Sequence, residues 1–254
     1  MPPGILRHKF NVLGIEIDAI NLNSACEKID QWIQKKNPVY ICVAPVSTVI
    51  DCQDDPVYRT VINSADMVTP DGMPIVWLGR TTNKSIQRTY GPDLMLAVCE
   101  KGLAHGYRHF LYGATPSTLQ RLESRLKNQF PGINIVGSFS PPFSPTAKKE
   151  EQATLATMNQ SGADILWVGL GSPKQDFWMQ MHRARLEVPV MIGVGAAFDF
   201  LSGVKPQAPR FLQACGLEWF FRLSCEPRRL GRRYLIKNSR FLFLLLVNFF
   251  RKDR

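Results

Sequence analysis

Short apolar runs of strand length alternate along the chain with longer amphipathic stretches of helix length. The apolar runs predict strands at residues 39–43, 67–69, 110–112, 133–136, 165–168 and 190–192, after an N-terminal ribbon at 10–19. The amphipathic stretches predict helices at 24–36, 56–64, 93–105, 116–130, 174–186 and, after a loop at 138–145, up to about 160. This alternation predicts an α/β fold, with a Rossmann-like, largely parallel sheet and helices on both faces.

Two local signals refine this pattern. Asn23 or Ser24 has the side chain expected of the N-cap of the first helix. After the second predicted strand, the sequence Pro70-Asp71-Gly72-Met73-Pro74 places two prolines around an Asp-Gly pair. Such a segment predicts a fixed loop rather than a continuing helix or strand.

The pattern changes after Gly203, where prolines are interspersed with aromatic residues and arginines. We therefore predict a core at residues 1–203 and a basic amphipathic appendage at 204–254, called the C-terminal appendage below. Its last apolar run, residues 241–250, is ten residues long and contains Asn248. A helix that spans a bilayer needs about 20 apolar residues. We expect this run to lie on a membrane or to pack on the core, not to cross a bilayer.

The charge of the chain is concentrated in the same region. The 254 residues carry a formal charge of +10, and residues 222–254, with ten basic and two acidic residues, carry +8 of it. A nearly neutral body with a basic end indicates an anionic partner: a ligand phosphate, an anionic lipid surface or a nucleic acid. A hydrophobic content of 45% is ordinary for a globular protein and excludes collagen and low-complexity disorder.

The six cysteines are scattered, with no Cys-x-x-Cys pair and no signal peptide at the start of the chain, so we expect buried, reduced thiols in a cytosolic protein. The chain contains no Asp-x-Asp pair, which often holds a metal on a nucleotide diphosphate. We therefore expect no metal site and no cofactor. Bound phosphates would be neutralised by arginines and helix ends.

Three predicted strands end in loops of small residues: 112–115, 169–175 and 193–199. In a doubly wound sheet, ligands bind at the carboxyl ends of strands, where helix N-termini offer free N–H groups to anions. These loops are therefore candidates for binding a nucleotide, although a tight turn alone also requires small residues. Neither loop with a Gly-x-Gly sequence has the third glycine of a dinucleotide fingerprint, because Lys174 and Phe198 stand there, and no Walker motif occurs.

Two aspartates and the basic tail complete the set of candidate groups. Asp71 follows an apolar strand, and Asp199 lies among apolar residues, where an acid needs a specific hydrogen-bond partner. A turn aspartate and a helix cap are the respective structural alternatives. The arginines from Arg222 onward carry planar forks that fit phosphate oxygens, with a solvated charged face as the alternative.

A series of motifs in this chain resembles the signatures of the WecG/TagA/CpsF glycosyltransferases. They are Ala65-Asp66, Pro70-Asp71-Gly72, Arg88-Thr-Tyr-Gly-Pro-Asp-Leu94, Gly169-Leu-Gly-Ser-Pro-Lys-Gln-Asp176, Gly193-Val-Gly-Ala-Ala-Phe-Asp-Phe-Leu-Ser-Gly203, Ala208-Pro-Arg210, Gly216-Leu-Glu-Trp-Phe-Phe-Arg222 and Glu226-Pro-Arg-Arg229. The similarity covers residues 12–235. One segment differs: the chain reads Ala44-Pro45-Val46-Ser47 where the family often carries Thr or Asn.

The resemblance implies an inverting, metal-independent transferase. It would move a sugar from a UDP-linked donor, of the N-acetylmannosamine, N-acetylmannosaminuronic acid or related type, to a polyprenyl-diphosphate-linked sugar in bacterial cell-surface polysaccharide or teichoic acid synthesis. By resemblance Asp71 would be the catalytic base, and the appendage would dock on the membrane. The candidate donor-binding residues, from the resemblance and the strand-exit loops together, are Arg88, Gly113, Gly171, Lys174, Gln175, Gly195, Asp199, Arg222, Arg228 and Arg229.

The expected partners are thus a nucleotide-sugar, a lipid-linked acceptor and an anionic membrane surface, without nucleic acid and with a possible homo-oligomer. The expected location is the cytoplasmic face of the bacterial membrane. Two other classes remain open on the residues alone. One is a non-enzymatic peripheral membrane or nucleic-acid-binding protein that uses the basic tail. The other is a nucleotide-dependent oxidoreductase.

Overall fold

The computed structural model describes residues 8–142 and 148–252, with the backbone alone for 148–150, 229, 232, 233, 251 and 252. Among the described residues, six strands form one parallel sheet in the order β4-β3-β8-β7-β5-β6, and two form an antiparallel hairpin. The hairpin strands are β1 (Lys9–Val12) and β2 (Ile15–Asp18). The sheet strands are β3 (Val39–Ala44), β4 (Met67–Pro70), β5 (Arg108–Gly113), β6 (Asn134–Phe139), β7 (Ile165–Gly169) and β8 (Val190–Gly193).

The central strands are buried on both sides, and their residues alternate between two hydrophobic cores. In β3, Tyr40 and Cys42 belong to one core, and Val39 and Ile41 belong to the other. Because successive side chains of a strand point to opposite faces, such a strand is apolar at every position. This explains why the sheet strands read as continuous apolar runs.

Helices cover both faces of the sheet. The helices are α1 (Leu22–Lys35), α2 (Val46–Asp54), α3 (Pro56–Asn63), α4 (Met73–Arg80), α5 (Gly91–Gly102), α6 (Pro116–Gln129), α7 (Lys148–Gln160), α8 (Lys174–His182), α9 (Ala197–Leu201), α10 (Arg210–Ala214), α11 (Glu218–Cys225) and α12 (Pro227–Lys252). The core that contains Tyr40 is completed by the hairpin and by α2, α3, α4, α7, α8 and α12. The core that contains Ile41 is completed by α1, α5, α6 and α9. The predicted fold class is confirmed.

Several predicted boundaries are wrong. Asn21, not Asn23 or Ser24, caps α1, because its side chain accepts a hydrogen bond from the Ser24 amide while the Ser24 hydroxyl accepts one from the Asn21 amide. Helix α2 was not predicted. The predicted loop at 70–74 is shorter, because α4 begins at Met73 with Pro74 in its first turn, where proline is well tolerated. The strand predicted to end at residue 136 continues to Phe139, and residues 143–145 of the predicted 138–145 loop lie outside the described residues.

The C-terminal appendage forms α10, α11 and the long helix α12. Helix α12 packs on α2 through Phe241, which is 2% exposed, and through ion pairs of Lys237 with Asp51 and of Arg240 with Asp54. The apolar run at 241–250 therefore belongs to a longer helix, one side of which packs on the core. In the described part of the chain, no helix is long and apolar enough to span a bilayer.

The cysteine prediction is partly wrong. Cys26, Cys42, Cys52 and Cys99 are buried, whereas Cys215 and Cys225 in the appendage are exposed. All six thiols are free, as predicted. Cys215 directly follows α10 and Cys225 ends α11, and neither of these short helices has a buried apolar residue, so their cysteines have no core to enter.

Candidate active site

The carboxyl ends of the parallel strands meet at one edge of the sheet and surround a cavity of about 580 Å³, called the polar cleft below. The loops after β5, β7 and β8 form most of its wall. Its lining includes residues 114–115, 169–172 and 193–200, together with Pro45, Asp71, Lys205 and Arg222. The three loops of small residues thus converge, as ligand sites at the edge of such a sheet require.

Glycines allow these loops to approach one another closely. Gly113 has φ +126°, and a Cβ there would lie 2.6 Å from the carbonyl carbon of Gly169. A Cβ at Gly193 would lie 2.8 Å from the Gln175 Nε2 atom. Gly171 and Gly195 also adopt positive φ and line the cleft. Larger residues at Gly113 or Gly193 would force the strand ends apart.

Gln175 lies at the meeting point of the loops after β7 and β8. It lies in the first turn of α8 and is 2% exposed, and its Oε1 atom accepts a hydrogen bond from the Gly171 amide at 3.1 Å. Gly195, in the loop after β8, lies close to the same oxygen: a Cβ added to Gly195 would lie 3.4 Å from it. Beside it, Asp176 is fully buried and accepts a hydrogen bond from the Tyr58 hydroxyl at 2.7 Å. Burial raises the pKa of Asp176.

Asp71 lies directly after β4 and is bound by Arg88. The Nε and Nη2 atoms of Arg88 donate to Asp71 Oδ1 at 3.1 and 3.0 Å. Arg88 also donates to Glu218 of α11, and its guanidinium lies 3.9 Å from the centre of the Tyr90 ring. Burial lowers the pKa of Arg88, but the Asp71 and Glu218 carboxylates outweigh this effect and raise it. Arg88 therefore remains charged in the site.

Asp199 is paired in a similar way. Lys205 Nζ lies 2.9 Å from Asp199 and 3.6 Å from Glu226. Glu226 is the residue between α11 and α12. Arg222 of α11 lies 5.2 Å above the ring of Phe200, within the range of a cation–π contact. Lys205 and Arg222 are the basic side chains among the described residues that line the polar cleft.

A second cavity, called the apolar chamber below, has a volume of about 280 Å³ and is also lined by Asp71. Apolar side chains form much of its wall: Val46, Met73, Pro74, Trp219, Phe241 and Leu242. Pro45, Asp71 and Arg222 line both cavities. In the segment that differs from the family pattern, residues 44–47, Pro45 lines both cavities, and Val46 and Ser47 line the chamber.

Not every predicted donor-binding residue faces the cleft. Asp71, Gly171, Gln175, Gly195, Asp199 and Arg222 line it, Gly113 directly precedes a lining residue, and Arg88 lines the apolar chamber. Lys174 is exposed at the start of α8, and Arg228 is exposed in the first turn of α12. The side chain of Arg229 lies outside the described residues.

Three residues of the site were not predicted: Tyr90, Lys205 and Glu218. Glu218 and Tyr90 occur inside the family motifs given above. Their contact with each other joins residues 128 positions apart, so no local pattern indicates it. The described residues include no group of three His, Cys, Asp or Glu side chains that could hold a metal ion.

Comparisons with known proteins identify the family of this chain. Residues 10–254 match the model of the "Glycosyl transferase WecG/TagA/CpsF family". The chain is also 30% identical over 202 residues to an N-acetylglucosaminyldiphosphoundecaprenol N-acetyl-beta-D-mannosaminyltransferase of Bacillus spizizenii. That alignment covers 79% of this chain and 77% of the relative. These matches decide against the non-enzymatic and oxidoreductase alternatives: the chain belongs to the WecG/TagA/CpsF family and is a glycosyltransferase.

Proposed function

We propose that this enzyme transfers a sugar from a UDP-sugar to a polyprenyl-diphosphate-linked sugar, with inversion and without a metal ion. The donor would carry N-acetylmannosamine, its uronic acid or a related hexose, and the product would serve bacterial cell-surface polysaccharide or teichoic acid synthesis. The relative from Bacillus spizizenii is named for such a transfer of N-acetylmannosamine to a lipid-linked sugar. The observation that carries the proposal is that Asp71 lines two chemically different cavities.

The polar cleft suits the nucleotide donor. The first turns of α6 and α8 contribute Thr118 and Gln175 to its wall, and amides at helix N-termini favour anions. Lys205 and Arg222 add positive charge without a metal ion. We assign the sugar diphosphate to this cleft, with its anomeric carbon toward Asp71.

The apolar chamber suits the lipid-linked acceptor. Trp219 and Met73 offer apolar surface to a sugar ring or to the first prenyl units, and Leu242, which is 60% exposed, lies where the chamber meets solvent. An acceptor in this chamber would present its hydroxyl to Asp71 from the side opposite the donor. Attack from that side inverts the configuration at the anomeric carbon.

The chemistry then requires one proton transfer and one displacement. Asp71 accepts the proton of the acceptor hydroxyl as its oxygen forms a bond to the anomeric carbon. The bond from that carbon to the diphosphate breaks, and the electron pair leaves with UDP. Arg222 and Lys205 stabilise the negative charge that develops on the diphosphate.

The first test of this function is binding and turnover with defined substrates. UDP at about one hundred times its dissociation constant should stabilise the protein by about 2.7 kcal/mol, which raises the melting temperature by roughly 5 to 10 °C. NAD should give no shift. With a lipid-linked N-acetylglucosamine acceptor, a panel of UDP-sugars should give a glycosylated lipid product. A melting shift with NAD and none with UDP would contradict the proposal.

Turnover should survive chelation. Because Lys205 and Arg222 can neutralise the donor diphosphate, product formation in excess EDTA should stay within about twofold of the untreated rate. The measurement is the initial rate with and without EDTA, with a matched addition of Mg²⁺ or Mn²⁺. Complete loss in EDTA that either ion restores would show that a metal takes part.

We further propose that α12 docks on an anionic membrane through its unpacked side. Its exposed apolar residues recur at helical spacing and form one face: Leu235, Ile236, Leu242, Phe243, Leu246, Phe249 and Phe250. Lys237 and Arg240 pair with aspartates of α2, so they are held beside this face rather than extended from it. Amphipathic helices of this kind lie in the headgroup region with their apolar side inward.

Substitution of Phe243, Leu246 and Phe249 by serine should weaken the affinity of the protein for phosphatidylglycerol vesicles by at least about tenfold. Each apolar side chain that is buried in the membrane contributes about 1.5 to 3 kcal/mol. Turnover on a water-soluble acceptor should stay within about twofold, since the three residues do not line either cavity. Co-sedimentation with vesicles measures the first effect. The control is Leu103→Ser, an exposed apolar residue after α5 on the opposite face of the sheet. Full vesicle binding by the triple variant would contradict membrane docking through α12.

A further inference from the structure

Glu218 belongs to the C-terminal appendage, but its carboxylate lies inside the core site. The residue is 9% exposed and begins α11. Its two oxygens have separate partners: Oε2 accepts from Arg88 Nη2, and Oε1 accepts from the Tyr90 hydroxyl at 3.1 Å. The same Nη2 atom of Arg88 donates to Asp71. One guanidinium therefore bridges the proposed base and a carboxylate of the appendage.

Glu218 and Asp71 share the hydrogen bonding of the Arg88 guanidinium. An arginine that faces one carboxylate alone stabilises its charged form and weakens it as a base. Glu218 opposes this effect in two ways, because it takes part of the guanidinium's hydrogen bonding and adds a negative charge nearby. The side-chain exposures of Arg88, Asp71 and Glu218 are 15%, 15% and 11%, so solvent screens these interactions only in part.

The other charged side chains that line a cavity with Asp71 are two basic residues of the appendage and the Asp199–Lys205 ion pair of the polar cleft. Arg222 of α11 and Lys237 of α12 line the apolar chamber with Asp71, and Lys237 is paired with Asp51 of α2. The neighbouring titratable group on the core side is Tyr90, whose pKa is raised by burial and by Glu218, so it stays neutral. Glu218 is thus the acidic group that offsets Arg88 on the side of Asp71 that faces the appendage.

We propose that Glu218 is a positioning residue for the transfer reaction. It holds Arg88 between two carboxylates, which keeps Asp71 oriented toward the cavities and basic enough to accept the acceptor proton. Because Glu218 is part of α11, docking of the appendage sets the base. The inference rests on the proposed role of Asp71.

The experiment measures kcat and KM from about pH 5 to 9 for the wild type, Glu218→Gln and Glu218→Asp. Glutamine can keep both contacts without the charge, because its Oε1 atom can accept from Arg88 while its Nε2 atom donates to the Tyr90 hydroxyl oxygen. The fold should therefore persist, as a melting temperature within about 3 °C would show. For Glu218→Gln we expect the acidic limb of the kcat profile to move to lower pH by about one unit. We also expect kcat on the plateau to fall by about three- to tenfold, with the donor KM within about twofold.

Two comparisons separate charge from structure. Glu218→Asp restores the charge and should return the acidic limb to within about 0.3 units of its wild-type position. Glu123→Gln removes a surface carboxylate that pairs with Lys127 on α6, and its profile should match the wild type.

A folded Glu218→Gln enzyme with the wild-type acidic limb would overturn the proposal, and so would a loss confined to the donor KM. Failure of the underlying function gives a different result. If Asp71→Asn keeps wild-type turnover, the assignment of the base is wrong. If Asp71→Asn is inactive and the limb of Glu218→Gln does not move, only the role of Glu218 is wrong.

Discussion

Asp71→Asn should lower turnover by about 10² to 10⁴-fold, because an amide cannot accept the proton of the attacking hydroxyl. The fold should persist, since the asparagine Oδ1 atom can still accept the hydrogen bonds that Arg88 donates to Asp71. Nucleotide binding should also persist, since the loops after β5, β7 and β8 supply most of the cleft. The measurements are the initial rate on the lipid-linked acceptor and the melting shift with UDP.

A matched control lies at the opposite edge of the sheet. Asp164 precedes β7 and is bound by Arg108 through Nε at 3.1 Å and Nη2 at 3.0 Å, the same type of pair as Asp71 with Arg88. Asp164→Asn should leave turnover near that of the wild type, because no cavity of the site includes it. Near-wild-type turnover of Asp71→Asn itself would remove Asp71 from the mechanism.

Arg88→Ala should cost about 2 to 4 kcal/mol of stability in addition to most of the turnover. Without Arg88, the Asp71 and Glu218 carboxylates, 15% and 11% exposed, would face each other with no cation between them. Removing one partner of a buried ion pair is strongly destabilising for this reason. For a protein of this size the melting temperature should fall by roughly 5 to 15 °C.

Two variants calibrate this loss. Arg88→Lys keeps the positive charge but loses the planar fork, so its melting temperature should lie between those of the wild type and Arg88→Ala. Arg108→Ala breaks a more exposed pair and should cost at most about 1 kcal/mol. If Arg88→Ala melts at the wild-type temperature, the Asp71–Arg88–Glu218 cluster contributes nothing to the fold.

The strands were predictable from the sequence because burial on both faces leaves a continuous apolar signal, as in β3 and β7. Helix α2 was not, for a local reason. It follows Pro45, no side chain caps its first turn, and its polar residues Ser47 and Thr48 are buried rather than exposed. Its pattern therefore lacks both a start signal and a clear amphipathic face.

The site was predictable only where local sequence carries it. Asp71 and the glycine loops were found because a strand exit is visible in the sequence. The contact of Arg88 with Glu218 joins residues 130 positions apart. Lys205 pairs with Glu226, which lies between α11 and α12. Pairing across such distances depends on how α11 packs on the core, which no local pattern records.

The two bridging cations bear on how freely the appendage could be exchanged between members of the family. Arg88 joins Asp71 to Glu218, and Lys205 joins Asp199 to Glu226. A graft cut at residue 203 would carry Glu218 and Lys205 and leave behind Arg88 and Asp199, with which they pair. Chimeras should therefore work only when the two parent proteins carry matching charges at both bridges, however well their helices fit in shape. Two ion pairs, Arg88 with Glu218 and Asp199 with Lys205, thus determine which appendage is compatible with which core.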